Sequence, residues 1–215
     1  MTADNSKTLL IPELNESYHS TNGARAESQH IYIECGLSRF IHQTIELFEM
    51  GFGTGLNAAL SCQYAVENDV TVNYTALEKY PVSKSELLEL NYSDLLMNQR
   101  IADAYSEMHD GFFSTHMSLN PKFGFQKILG DLKEVALPRQ KYDLVYFDAF
   151  APKIQPELWS LAVFSKIAEA MKSGGVLVTY CSQGQFRRNL TSLGFNVEKL
   201  TGPTGKREIT RAIKS

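Results

Sequence analysis

The chain has 215 residues, 43% hydrophobic and 21% charged, with a formal net charge of −3. That length suits one domain with a short extension, and the composition is that of a globular protein with no overall charge bias toward nucleic acid. No apolar run approaches the roughly 20 residues a bilayer span requires, so no membrane association is expected. Cys35, Cys62 and Cys181 lie far apart without C-x-x-C spacing, which argues against a disulfide framework or a zinc site. The five histidines form no H-E-x-x-H pair, so no metal is expected. With no basic, apolar leader at the N-terminus, the expected compartment is the cytoplasm.

In chain order, residues 1–35 are polar and turn-rich, Ile31-Tyr32-Ile33 predicts a short strand and Leu37–Thr44 a short helix. Residues 1–43 are read as an N-terminal extension and 44–215 as the core. Ile45, Leu47 and Phe48 predict a strand, Gly51, Gly53 and Gly55 a tight turn, and Leu56–Val66 a helix. Val70–Leu77 alternates as a strand ending at Glu78-Lys79, and Ser83–Leu90 reads as a helix. Residues 91–125 predict helix and loop, with Phe112, Phe113 and Phe123 seeking a core. Phe125–Leu129 and Tyr142–Phe147 predict strands ending at Gly130-Asp131 and Asp148. Pro156–Met171 has helical spacing, with Gly174-Gly175 as its stop. Val176–Tyr180 predicts a strand and Gln185–Leu193 a helix closed by Gly194. Phe195–Leu200 and Glu208–Ile213 pair as an antiparallel ribbon around Gly202-Pro203-Thr204-Gly205. Alternating strands and helices imply an α/β, Rossmann-like fold with a mostly parallel sheet.

Two stretches carry the chemistry. Glu-Met-Gly-Phe-Gly-Thr-Gly-Leu-Asn at 49–57 places a glycine turn between strand and helix, where main-chain N–H groups approach a ligand closely. The spacing is G-x-G-x-G, with Leu56 where a dinucleotide fingerprint has its third glycine, which disfavours a nicotinamide enzyme. It resembles the first motif of class I S-adenosylmethionine (SAM) methyltransferases, in which Glu49 faces the ligand's positive charge. A turn with no ligand is the plain alternative. Four acids end predicted strands: Glu49, then Glu78 for the ribose hydroxyls, Asp131 for the adenine amino group with Leu132 packed on the ring, and Asp148 at the reaction centre. Each alone is also consistent with a helix cap. Phe-Asp-Ala-Phe-Ala-Pro-Lys-Ile-Gln-Pro-Glu-Leu-Trp at 147–159 adds a proline-stiffened loop, in which Phe150 or Trp159 offers a wall for a planar base. Core packing is the competing reading of Trp159.

With L-E-K-Y-P at 77–81, G-G-V-L-V-T-Y-C-S-Q-G at 174–184, G-P-T-G-K-R-E at 202–208 and Y-H-S-T-N-G-A-R-A-E-S at 18–28, these motifs resemble the methyltransferase part of the bacterial tRNA 5-methylaminomethyl-2-thiouridine biosynthesis proteins. In that family an FAD-dependent oxidase follows, whereas this sequence stops at Ser215 and has no second glycine fingerprint, so neither FAD nor oxidoreductase activity is expected. Ala149 stands where the family often has glycine. The resemblance implies SAM-dependent N-methylation of 5-aminomethyl-(2-thio)uridine at the tRNA wobble position, coupled to the enzymes that make that precursor. Gly51, Gly53, Gly55, Asn57, Glu78 and Asp148 would hold the donor. Asp148 would orient the amine or take its proton. Tyr18, Asn22, Glu27 and Phe150 would shape the pocket. Residues 187–215 carry +5 against −8 for the remainder, and Lys206 and Arg207 are the candidates for tRNA phosphate. An aminopropyltransferase-like amine transferase and a non-catalytic RNA-binding relative are the alternatives.

Overall fold

A computed structural model describes residues 2, 4, 6–11, 16–18, 22–90, 92, 96 and 98–215. A hairpin of β1 (Leu10–Ile11) and β2 (Glu16–Ser17) leads into α1 (Ala24–Ser28), which runs on as a π-helical turn, Gln29–Glu34. The core follows as β3 (Thr44–Met50), α2 (Leu56–Glu67), β4 (Thr71–Glu78), α3 (Lys84–Leu90), α4 (Gln99–Asp110), β5 (Met117–Asn120), β6 (Phe123–Leu129) and β7 (Tyr142–Phe147). It ends with α5 (Leu161–Ala170), β8 (Met171–Thr179), α6 (Gly184–Ser192), β9 (Phe195–Thr201) and β10 (Glu208–Lys214). Eight strands form one sheet in the order β5-β6-β4-β3-β7-β8-β10-β9. The five strands from β6 to β8 are parallel, and β5, β10 and β9 pair antiparallel at the edges.

Strand alternation sorts the core into two layers. Ile45 and Leu47 pack with α2 and α4, whereas Phe48 and Met50 pack with α5 and α6. The strand order reverses between β3 and β7. A cleft outside the carboxyl ends of the strands is expected there, and there Glu49, the glycine turn and Asp148 come together.

The main departures from the expected elements have local causes. Ile31, Tyr32 and Ile33 are helical and all buried; α2 and β8 enclose them and override their β-propensity. Leu37–Phe40 forms a single 3-10 turn rather than a helix reaching Thr44. The expected helix over Pro156–Met171 is a 3-10 turn, Pro156–Trp159, then α5, because Ser160 caps a new start by accepting from Val163 N. Gly174-Gly175 does not stop that helix, which ends at Ala170. The two glycines lie inside β8 where the pairing with β7 shifts register, and Gly174 takes φ +75°. Within 91–125, α4 is capped by Asn98, and β5 is a strand the sequence does not announce. Phe123 is buried, but Phe112 is 83% exposed.

Candidate active site

A cleft of about 610 Å³ opens at the carboxyl ends of β3, β4, β6, β7 and β8, a size suited to a small organic ligand. One end is main chain. Gly51 has φ +90°, and a Cβ there would lie 2.4 Å from the Asp148 carbonyl oxygen. Gly53 has φ +50°, and a Cβ there would lie 3.1 Å from the Tyr18 ring. Both positions need glycine, for backbone conformation and for space. Gly55 takes φ +75° at the start of α2 but does not line the cleft. Glu78, at the end of β4, accepts from Gly53 N and Tyr80 N, both at 2.8 Å. Burial raises its carboxyl above the usual range. Asp131 follows β6, accepts from Lys133 N at 2.9 Å and pairs with Lys79 at 3.0 Å and Lys133 at 3.4 Å. Although burial opposes it, the amide and the two ammonium groups together hold this carboxyl below the usual range. Leu132 closes the floor beside it.

The other end is built of side chains from distant parts of the chain. Tyr18 and Phe150 meet edge to face, with ring centroids 5.4 Å apart. Trp159 does not line the cleft; it packs edge-on against Phe147 and Phe186 in the core. Its indole N–H donates to the Phe150 carbonyl at 2.8 Å and so braces the loop that carries the wall. Tyr32, Tyr180, Glu27 and Lys206 complete this end. The Lys206 ammonium pairs with Glu27 and sits 4.2 Å from the Tyr180 ring centroid. Asp148 lines the cleft directly after β7, with its carbonyl beside Gly51. Its main-chain N–H continues the sheet to Met50 O at 2.9 Å, and its Oδ2 accepts from Asn57 Nδ2 at 2.8 Å. Desolvation pushes its carboxyl up to about 6, opposed by Tyr32, Asn57 and Lys206.

Four expectations are corrected. Glu49 does not face the ligand: it is fully buried behind the cleft, and Asn57 stands between it and Asp148. Burial raises its carboxyl well above the usual range. Asn22 does not line the cleft; it lies against Gly205 and supports the loop that carries Lys206. Lys206 turns into the cleft rather than outward to a phosphate. The basic tail is largely committed internally: Arg187 binds Glu208, Thr210 and Ile209, Arg211 binds Glu198 and the Cys35 carbonyl, and Lys214 binds the Ala168 and Met171 carbonyls. Arg207, on the same loop as Lys206, is exposed. Within the motif at 18–28, His19, Ser20 and Thr21 lie outside the described residues. The sequence reading missed Tyr32 and Tyr180 as wall residues. Tyr180 follows the end of β8, so the strand-end rule that found the four acids also reaches it; a buried helical tyrosine such as Tyr32 gives no such signal.

These features define a methyltransferase cleft. A family model described as S-adenosyl-L-methionine-dependent methyltransferase matches residues 95–215, and the chain belongs to that family. The tRNA 5-methylaminomethyl-2-thiouridine biosynthesis bifunctional protein MnmC of Cupriavidus metallidurans is 30% identical over 236 residues, covering 97% of this chain and 33% of that protein. The protein of the same name from Campylobacter fetus is 30% identical over 210 residues, covering 95% of this chain and 34% of that one. The chain thus spans about a third of the length of these curated relatives. The crystal structure of MNMC2 from Aquifex aeolicus superposes with a TM-score of 0.75 at 29% identity, over 98% of this chain and 68% of that one. Spermidine synthase from Thermotoga maritima, at 13% identity and a TM-score of 0.56, shares the fold.

Proposed function

We propose that this chain methylates the primary amine of 5-aminomethyl-(2-thio)uridine at the wobble position of a tRNA, in the cytoplasm, using SAM and neither metal nor FAD. The observation that carries this reading is Asp148 lining the cleft beside Gly51, with Tyr18 joining the glycine turn at Gly53 to the Phe150 ring. The donor end suits SAM. A Cβ at Gly51 or Gly53 would fill the cradle, Glu78 offers acceptors for a ribose diol, and Asp131 with Leu132 suits an adenine edge and face.

SAM supplies an electrophilic methyl group, and this chain's residues prepare the amine that receives it. An amine must be neutral to offer a lone pair. Asp148, ionised above about pH 6, is placed to orient it and to take the proton it sheds. Tyr18 and Phe150 flank a planar base and exclude water, which strengthens that contact. Arg207 is the exposed candidate for tRNA phosphate. The names of the relatives support the tRNA substrate; functional coupling to the enzymes that make its aminomethyl precursor is part of the proposal.

The test is to incubate the protein and SAM with tRNA bearing the aminomethyl nucleoside and analyse nucleosides by mass spectrometry. The expected product is 5-methylaminomethyl-(2-thio)uridine with one methyl per tRNA. Methylation of free putrescine or spermidine, with the tRNA untouched, would refute the reading.

A further inference from the structure

Of the four strand-end acids, Glu49 alone has no surface on the cleft. It lies on β3 between Ala76 of β4 and Tyr146 of β7, on the sheet face that α2 covers. The second residue of α2 is Asn57. Its amide nitrogen donates to Glu49 Oε1 at 3.0 Å and to Asp148 Oδ2 at 2.8 Å. A primary amide has two N–H donors, so both are spent, one behind the cleft wall and one at it.

We propose that Glu49 is a positioning residue for Asp148: by holding the Asn57 amide from behind, it fixes that amide's orientation and, through it, the side chain of Asp148. The inference rests on the reading of Asp148 as the group that meets the amine. Were Asn57 released, its amide could turn its oxygen toward the Asp148 carboxylate, and two acceptors would then face each other. With Glu49 Oε1 on one side and Asp148 Oδ2 on the other, only the nitrogen fits between them.

Charge supports the same role. Two carboxylates joined through one amide cannot both ionise without cost. Burial pushes the Glu49 carboxyl well above the usual range, so of the two the member that faces the cleft ionises more readily. Glu49 Oε2, Asn57 Oδ1 and the Tyr74 hydroxyl are buried without a hydrogen bond of full geometry among the described residues. A protonated Glu49 brings to this cluster the donor hydrogen that an ionised one lacks.

Three variants test the proposal. Glu49→Asp keeps an acid but draws the carboxyl back by about 1.5 Å. Glu49→Gln keeps the reach and an acceptor oxygen but cannot ionise. Glu49→Met has similar length and no carboxyl oxygen, and serves if Glu49→Asp does not fold. Positioning predicts that kcat falls roughly 10- to 100-fold in Glu49→Asp and Glu49→Met and is largely restored in Glu49→Gln. Calorimetric SAM affinity should stay within about twofold throughout. The opposite pattern, an active Glu49→Asp with SAM affinity lost in Glu49→Gln, would show a charge acting on the cofactor and overturn the proposal. So would equal kcat in all four proteins. A wild-type protein that binds SAM but leaves aminomethyl-tRNA unmethylated would defeat the substrate reading instead. Positioning is then read from the Asp148 carboxyl by 13C NMR titration, against the other groups that face it, Glu27, Tyr32 and Lys206. Its midpoint should move in Glu49→Asp and hold in Glu49→Gln, and an unmoved midpoint in both would overturn the proposal.

Discussion

At the end of the cleft that the proposed function gives to the donor, the wall is main chain: Gly51, and Gly53 held by Glu78 across a distance of 25 residues in sequence. At the acceptor end it is side chain: Tyr18, Glu27 and Tyr32 from the N-terminal segment, Phe150 from the loop after β7, Tyr180 after β8 and Lys206 from the loop between β9 and β10. The first end is a local motif, strand, turn and helix in sequence order. The second exists only when four separate segments have packed. Tyr18 touches both, lying against Gly53 and the Phe150 ring, so a substitution at Gly53 also reaches the second end.

The largest expected effect lies at Asp148, beside Gly51 of the first end. Asp148→Asn keeps size and the ability to accept from Asn57, yet removes the charge. On the proposed function its kcat should fall by roughly 10²- to 10⁴-fold, with SAM affinity nearly kept. Turnover near wild type would mean that Asp148 only closes the strand. Next is Gly53→Val. A branched side chain at φ +50°, against the Tyr18 ring, should abolish saturable SAM binding in calorimetry while the circular-dichroism spectrum stays folded. Undiminished affinity would remove the glycine turn from the donor site.

A stability measurement sharpens the contrast further. The Asp148 carboxyl sits at about 6 in the folded chain against an ordinary 3.8. Between these values the folded state binds the proton more tightly, so this group costs stability as pH rises through the interval and offers none back above it. Asp148→Asn should thus melt higher than wild type at pH 8, and the two curves should converge below about pH 4. An equal gap at both pH values would mean that the buried charge is not what the fold tolerates at this point. The smallest effect is at the rim. Arg207→Ala should weaken tRNA binding and lower its salt slope by about one unit, with SAM binding unchanged. Filter binding across salt concentrations checks it, and an unaltered slope would place the phosphate contacts elsewhere.

The same contrast explains what was legible in the sequence. Gly51, Gly53, Glu78, Asp131 and Asp148 are readable because strand ends and glycine spacing are local signals, and the parallel sheet aligns them. Glu49 fits that pattern too, but strand alternation turns it to the covered face, and only the position of Asn57 on α2 reveals its connection to Asp148. The +5 tail misleads for a related reason. Charge along a sequence does not show which cations pair across the sheet, and Arg187 and Arg211 find Glu208 and Glu198 on neighbouring elements. Tyr32 is hidden because its β-prone neighbours are recruited into a helix that other elements enclose.

Trp159 is the chain's sole tryptophan, and its indole N–H holds the carbonyl of Phe150. The protein therefore carries a fluorophore wired to the Phe150 wall of the cleft, which Tyr18 in turn joins to Gly53. Intrinsic emission gives a label-free report of events at the Phe150 wall, and a donor ligand that leaves this wall in place is silent in that channel. Stopped-flow mixing with each ligand alone and then with both shows which of them perturbs that wall, and so gives the order in which the two enter.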